Sequence, residues 1–328
     1  MPAIVEFKEY SMGFLDDDGQ VFNLLDRVSF NVEPGRALGI VGESGCGKSM
    51  TSLSMMRLLP DAAVVQGGEI LFEGRNLLEM DEREIAKVRG NRISMIFQEP
   101  MTALNPVLTI GFQISEIVRL HHPQLAQQEV EKRVMEVLTA VGISNPETRL
   151  SQYPHEFSGG MRQRVMIAMA IINEPALLIA DEPTTALDVT VQAQILDLMR
   201  HLKGSGGLVV ITHNLGVVAE ICEEIVVMYA GRAVERGTLA AVFDNPLHPY
   251  TKGLMASVPT IRSSKEPLYT IPGTVPTVYD FGSGCRFADR CAHYMDQCSD
   301  EVPPLKQVGS DHLVQCWLNF EGEVTGDA

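Results

Sequence analysis

Positive charge is scarce in this chain: 26 lysines and arginines stand against 42 aspartates and glutamates, a net charge of −16. A duplex DNA or RNA platform presents a basic face, so the balance excludes nucleic acid as a partner. An anionic lipid surface would repel the chain as well. Long apolar runs are also missing. The best candidate, residues 165–180, is broken by Asn173, Glu174 and Pro175 and falls short of the ~18–20 apolar residues of a membrane span. The opening Met1-Pro2-Ala3-Ile4-Val5-Glu6 lacks the basic and apolar regions of a secretory leader. These absences predict a soluble, cytosolic protein whose membrane role would come through a partner. A length of 328 residues suits one main domain and an appendage.

What is present begins with alternation. Ile4-Val5-Glu6-Phe7 and Val28-Ser29-Phe30-Asn31-Val32 carry the period-2 pattern of strands, with a turn at Asp16-Asp17-Asp18-Gly19. Ala37-Leu38-Gly39-Ile40-Val41 is an apolar strand, and residues 48–59 read as the helix behind it. Residues 125–141 space their apolar side chains as a helix does, and residues 161–172 form a second helix, apolar nearly all round. Strands return at 176–180, 208–212 and 225–229. The prediction is an α/β fold with a mainly parallel sheet and a separate helical lobe. Beyond residue 239 the patterning fades and prolines recur from Pro246 to Pro304, so the tail reads as a loop-rich appendage without a core of its own.

Gly42-Glu43-Ser44-Gly45-Cys46-Gly47-Lys48-Ser49 has the spacing of a P-loop between strand and helix. Gly42, Gly45 and Gly47 let backbone N–H groups face phosphates at a helix N-terminus. Lys48 would neutralise the β- and γ-phosphates and the Ser49 hydroxyl would ligate Mg²⁺. Ser44, Cys46 and Met50 complete the expected contact set, Cys46 contributing no more than a small buried side chain. Leu177-Leu178-Ile179-Ala180-Asp181 delivers a carboxylate at a strand end, where ligands bind in open α/β sheets. Asp181 would hold the metal through water, and Glu182 is the expected general base. Gln98 and His213 follow apolar strands and are expected at the Mg²⁺ and at the γ-phosphate. Phe157-Ser158-Gly159-Gly160-Met161 is a second glycine-rich anion cradle, which predicts that a partner chain completes the nucleotide site.

Together these segments resemble the ATP-binding-cassette (ABC) ATPases. The order is P-loop at 42–49, Gln98, signature at 157–161, acidic strand at 177–182, Thr185-Ala186-Leu187-Asp188 and His213. The resemblance implies a P-loop NTPase: a RecA-like core with an antiparallel β subdomain and an inserted helical subdomain at about 100–165, all within 1–240. It also implies a head-to-tail nucleotide sandwich in which Ser158, Gly159 and Gly160 meet the γ-phosphate on a partner's P-loop. An aromatic residue upstream stacks on adenine in this family; Phe14 is the expected one here, with Tyr10 and Phe22 as rivals. The signature usually ends in Gln, but Met161 holds that place, with Gln163 nearby. A groove between Gln98 and the helical region, with residues 100–108, is expected to receive a permease helix.

A narrower resemblance, to the oligopeptide/dipeptide importer ATPases, rests on Tyr153-Pro154-His155-Glu156 before the signature, on Pro183 to Gln194, on Asn245-Pro246-Leu247-His248-Pro249-Tyr250-Thr251 and on Ile271-Pro272-Gly273. It implies an ATP-hydrolysing motor subunit at the cytoplasmic face of the inner membrane. The implied partners are a second, non-identical ABC ATPase subunit, two permeases and, indirectly, a solute-binding protein. Related subunits serve nickel chelates, opines or sugars. A soluble ABC ATPase of DNA repair is the alternative from another class, disfavoured by the acidic charge.

Four of the six cysteines lie in the tail, spaced Cys285-x5-Cys291-x6-Cys298-x17-Cys316. In a reducing compartment such clustering favours a metal site over disulfides. The spacing alone does not select zinc, and an iron–sulfur cluster also takes four thiolates. Arg286 and Arg290 flank the first two thiols. Comparable tails in the peptide-importer ATPases resemble a four-iron four-sulfur site, which is adopted for the 241–328 extension, with Zn²⁺ as the alternative.

Overall fold

The computed structural model describes residues 2–98, 103–184, 188–203, 206–258 and 269–320. Two long strands, β1 (Val5–Leu15) and β2 (Val21–Val32), meet at the expected turn, where the Asp16 carboxylate accepts from the Asp18 and Gln20 amides at 3.0 and 2.7 Å. The fully buried β3 (Ala37–Val41) leads to α1 (Lys48–Met56), which stops earlier than the sequence pattern suggests because Arg57 turns left-handed at φ 49°. Then come β4 (Ala63–Phe72), β5 (Arg75–Asn76), α2 (Glu82–Val88) with an Asp81–Glu84 capping box, and β6 (Ile93–Ile96).

Helices follow: α3 (Ile110–His121), α4 (Gln127–Ala140), α5 (Pro146–Arg149) and α6 (Gly159–Ile171). The buried positions of α3 include Ile110, Gln113, Ile114 and Val118, and those of α4 are Val130, Val134, Val137 and Leu138. That is one face of a helix in each case. Alternation resumes with β7 (Leu177–Asp181), α7 (Val189–Leu202), β8 (Gly207–Ile211), α8 (Leu215–Ile221), β9 (Glu224–Tyr229) and β10 (Arg232–Thr238). The tail adds α9 (Leu239–Asp244), α10 (Pro249–Ala256), α11 (Gln297–Asp300), β11 (Lys306–Gln307) and β12 (His312–Val314).

Two compact units divide these elements. One comprises residues 1–5, 32–37 and 71–211. Its β6, β7 and β8 are parallel, paired Ile96 to Ala180 and Asp181 to Ile211, and the helices α3 to α6 are inserted between β6 and β7. The strands are buried on both faces, which explains their unbroken apolar sequences.

The second unit comprises residues 6–31, 38–70 and 212–328. It holds the sheet β2-β1-β4 and a run in which β3 pairs parallel with β9 while β9, β10, β12 and β11 pair antiparallel. The tail is loop-rich as expected, but the expectation that it lacks a core is corrected here. β12 extends this sheet by pairing Val314 with Glu235. Tyr250 (fully buried) and Phe287 pack on the Tyr229 ring at centroid distances of 4.7 and 5.1 Å. The tail shares the aromatic core of its unit.

Candidate functional site: a phosphate-binding loop, paired carboxylates and a thiol cluster

Glycine geometry builds the loop between β3 and α1. Gly42 has φ 153°, and a Cβ there would strike the Met228 carbonyl oxygen and come within 2.7 Å of Cys46 Sγ. Gly47 sits left-handed at φ 101° and caps α1 without any side-chain hydrogen bond, which leaves the first amides of the helix for an anion. Ser44 and Gly45 are exposed, Ser49 and Met50 half-buried, and Cys46 fully buried. Lys48 is only 9% exposed; its Nζ donates to the Gly42 and Glu43 carbonyls at 2.8 and 2.9 Å. Burial raises the Cys46 thiol pKa, so that side chain is an inert filler.

Glu43 is held from the tail. Its N–H donates to Tyr250 Oη at 2.8 Å, and its carboxylate takes a two-pronged pair from Arg290 at 2.7 and 3.1 Å. Burial works against the Arg290 charge, but the hydrogen bonds it donates to Glu43 and Tyr229 outweigh it and raise the guanidinium pKa. Sequence reading linked Arg290 to the cysteines and gave Glu43 no role. Only the fold joins the two.

His213 lies in the same unit. Thr212 N–H donates to the Ile40 carbonyl at 3.2 Å, so the exposed His213 stands beside the end of the strand that opens the loop. Of the aromatic candidates, Phe14 is half-buried on β1. Tyr10 is fully buried and packs edge-on to Phe7, which removes it as an adenine platform. Phe22 meets Tyr279 edge-on at 4.6 Å.

In the other unit, β7 ends on Asp181 and passes to Glu182, 4% and 7% exposed. Glu182 adopts φ 50°, and its N–H donates to the Ile211 carbonyl at 2.8 Å. A non-glycine residue in this conformation stores strain and turns the carboxylate off the strand line. The exposed Gln98 leaves β6 at the edge where Asp181 ends β7. Ser158 caps α6, its Oγ accepting from the Met161 amide at 3.3 Å, and nothing lies within 4 Å of where a Gly159 Cβ would project. Ser158 and Gly159 are exposed and Gly160 half-buried. Gln163 does not stand in for the amide missing at Met161: it is 1% exposed and donates to the Pro183 carbonyl at 2.8 Å. Residues 185–187 lie outside the described residues, as do 100–102 of the expected groove; Asp188 caps α7 by accepting from the Val191 amide at 3.0 Å.

Cys285, Cys291, Cys298 and Cys316 line one small cavity of about 10 Å³ together with His248, Phe287 and Trp317. Cys285 N–H donates to the Cys298 carbonyl at 2.7 Å, which draws two distant thiols together. Burial, then the other three thiols, push the Cys316 pKa up to about 12. A cysteine thiol binds metal as its thiolate, so four thiols around one cavity are donors of the type a cationic metal takes. Among the described residues, no three Cys, His, Asp or Glu side chains surround a single ion position, so the geometry shows neither a zinc site nor an iron–sulfur site. No helix among them is long and apolar enough to cross a membrane.

Comparison with known proteins identifies the fold and the family. A dimeric ATP-binding cassette, MJ0796, solved in a post-hydrolysis state bound to ADP and Pi, superposes with a TM-score of 0.64 at 27% identity, covering 72% of this chain and 98% of that one. The fold is that of an ABC ATPase cassette. Family profiles described as ABC transporter and as the C-terminal region of oligopeptide/dipeptide transporters match residues 25–185 and 234–298. A probable peptide ABC transporter ATP-binding protein of Sinorhizobium fredii is 52% identical over 305 residues, 92% of this chain and 91% of that protein. The oligopeptide transport ATP-binding protein OppD of Bacillus subtilis is 48% identical over 319 residues, 96% of this chain and 88% of its own length. The dipeptide transport ATP-binding protein DppD of the same organism is 51% identical over 309 residues, 92% of each chain. The chain belongs to the family of peptide ABC transporter ATP-binding subunits.

Proposed function

We propose that this chain is the ATP-hydrolysing motor subunit of an importer for oligopeptides or dipeptides, working at the cytoplasmic face of the inner membrane. The observation that carries the reading is an identity near one half with peptide-transport ATP-binding proteins over about nine-tenths of the chain, tail included. The domain division, a nucleotide-binding part over 1–240 and an extension over 241–328, belongs to the same reading.

The P-loop amides, Lys48 and Ser49 receive the ATP phosphates and Mg²⁺, with Phe14 against the adenine. Mg²⁺ when bound neutralises charge on the transferring phosphoryl group, with Ser49, Gln98 and Asp181 as its protein partners. Glu182 takes the proton of the attacking water as its oxygen bonds to the γ-phosphorus and the bond to ADP breaks. His213 steadies the γ-phosphate. The Ser158-Gly159-Gly160 cradle, exposed at Ser158 and Gly159 and set at a helix N-terminus, suits an anion held by a second cassette. That partner is a non-identical ABC ATPase, both subunits driving two permeases fed by a solute-binding protein.

Cys285, Cys291, Cys298 and Cys316 would hold a four-iron four-sulfur cluster, whose iron–thiolate bonds tie together three segments of the tail. The function is tested by reconstituting the chain with its permeases and partner ATPase in vesicles. Hydrolysis stimulated by the peptide-loaded binding protein is the expected result. Stimulation instead by a nickel chelate, an opine or a sugar would move the substrate class.

A further inference from the structure

Glu43 is an awkward residue for its position. It stands inside the loop that must receive a polyanion, and its side chain is 31% exposed. Left alone, a carboxylate there repels phosphate. The tail supplies the counter-charge. Arg290, with a side chain only 5% exposed, forks onto both Glu43 oxygens. Its guanidinium is fixed beforehand by bonds to the Pro272 and Ile271 carbonyls at 2.7 and 3.3 Å and to Tyr229 Oη at 3.3 Å. The fully buried Tyr250 accepts the Glu43 N–H at 2.8 Å, and Lys48 bonds the Glu43 carbonyl at 2.9 Å. Glu43 is thus held by its amide, its carbonyl and its carboxylate, and two of the three holders belong to the tail.

We infer that Arg290 and Tyr250 are positioning residues for nucleotide: they shape the mouth of the P-loop and cancel the Glu43 charge beside the phosphates. ATP affinity therefore depends on tail residues 207 and 247 positions downstream of Glu43. The inference rests on the reading of the P-loop as the ATP site.

The test is equilibrium binding of a fluorescent non-hydrolysable ATP analogue with Mg²⁺ on the full chain, alongside KM and kcat for ATP on the chain assembled with its partner ATPase and permeases. Arg290→Ala is expected to raise Kd and KM about tenfold, with kcat at saturating ATP within about twofold, because the hydrolytic groups are untouched. Arg290→Lys should fall between, since an ammonium restores the charge without the fork. The deciding variant is Glu43→Gln with Arg290→Ala. With no stray carboxylate, it should recover most of the lost affinity. A double variant as weak as Arg290→Ala, or an Arg290→Ala protein with wild-type Kd, overturns the inference. Should Arg290→Ala fail to fold, Arg290→Lys and Tyr250→Phe carry the test, and wild-type Kd in both overturns it. Lys48→Ala is the control for the site itself. Retained binding there would refute the P-loop reading rather than the role of the tail.

Discussion

The side-chain amide of Gln163 bonds the backbone carbonyl of Pro183 at 2.8 Å, joining the signature helix to the residue that follows Glu182. Gln163 is 1% exposed, so the bond is shielded from water. Gln163→Leu would leave the Pro183 carbonyl buried and unpaired, at a cost of about 1–3 kcal/mol. The expected outcome is a lower unfolding midpoint and a reduced kcat with an unchanged KM for ATP. Calorimetry and steady-state assays read both.

Glu182 is nearly buried and turned off its strand by a left-handed backbone. Glu182→Gln preserves shape and removes the proton acceptor. Hydrolysis should fall at least about a hundredfold while ATP binding persists. Wild-type turnover in this variant would remove Glu182 from the base role.

At Gly159 a methyl group meets no neighbour within 4 Å, so Gly159→Ala should fold with an unchanged melting midpoint. The methyl nonetheless sits in the proposed phosphate cradle. Loss of hydrogen bonds to a charged group, about 1.5–3 kcal/mol, corresponds to a roughly ten- to hundredfold fall in ATPase of the assembled pair. Full activity would locate the partner's phosphate elsewhere.

Asp26 pairs with Arg232 at 2.7 and 2.8 Å and lies 3.8 Å from Arg286. Burial alone would raise its pKa, but the charge and hydrogen bond of Arg232, with Arg286 and Arg27, lower it below 3.8. The sign follows: the native state releases this proton more readily than the unfolded chain. The stabilisation is complete above the ordinary carboxylate value and is lost as pH falls through the lower native one. Asp26→Asn should cost about 3 kcal/mol at neutral pH by leaving two half-paired arginines. It should also flatten the acid limb of stability below the ordinary carboxylate pKa. Urea unfolding at stepped pH measures both effects.

Anaerobically purified protein is expected to be brown, with iron and acid-labile sulfide. Cys298→Ser should bleach it and lower the midpoint of the tail's unfolding. Colourless, zinc-loaded wild-type protein would dismiss the cluster.

Much of the site could be read directly from the chain. The P-loop, the acidic strand and the capped signature helix are each a contiguous run whose chemistry is local. Buried parallel strands likewise show themselves as apolar runs, as at 177–181. β4 escaped notice because Gln66, Gly67 and Gly68 interrupt its pattern, and β10 because Arg232, Glu235 and Arg236 look like a surface loop. Their polar side chains are bonded at long range: Glu235 accepts from the Leu247 and His248 amides and pairs with His312. Helix α10 was hidden among prolines, although Pro249 sits at its first position, where the missing N–H costs nothing.

The sequence by itself determined the nucleotide chemistry and the family, because loop, cap and strand end are written within a few consecutive residues. The tertiary structure alone decided that the tail is part of the core and that Arg290 reaches Glu43 across 247 positions, Tyr250 across 207. No periodicity announces a part-buried ion pair. It forms only when sheet pairing has brought both ends out of water together, and each residue taken alone resembles an ordinary surface charge.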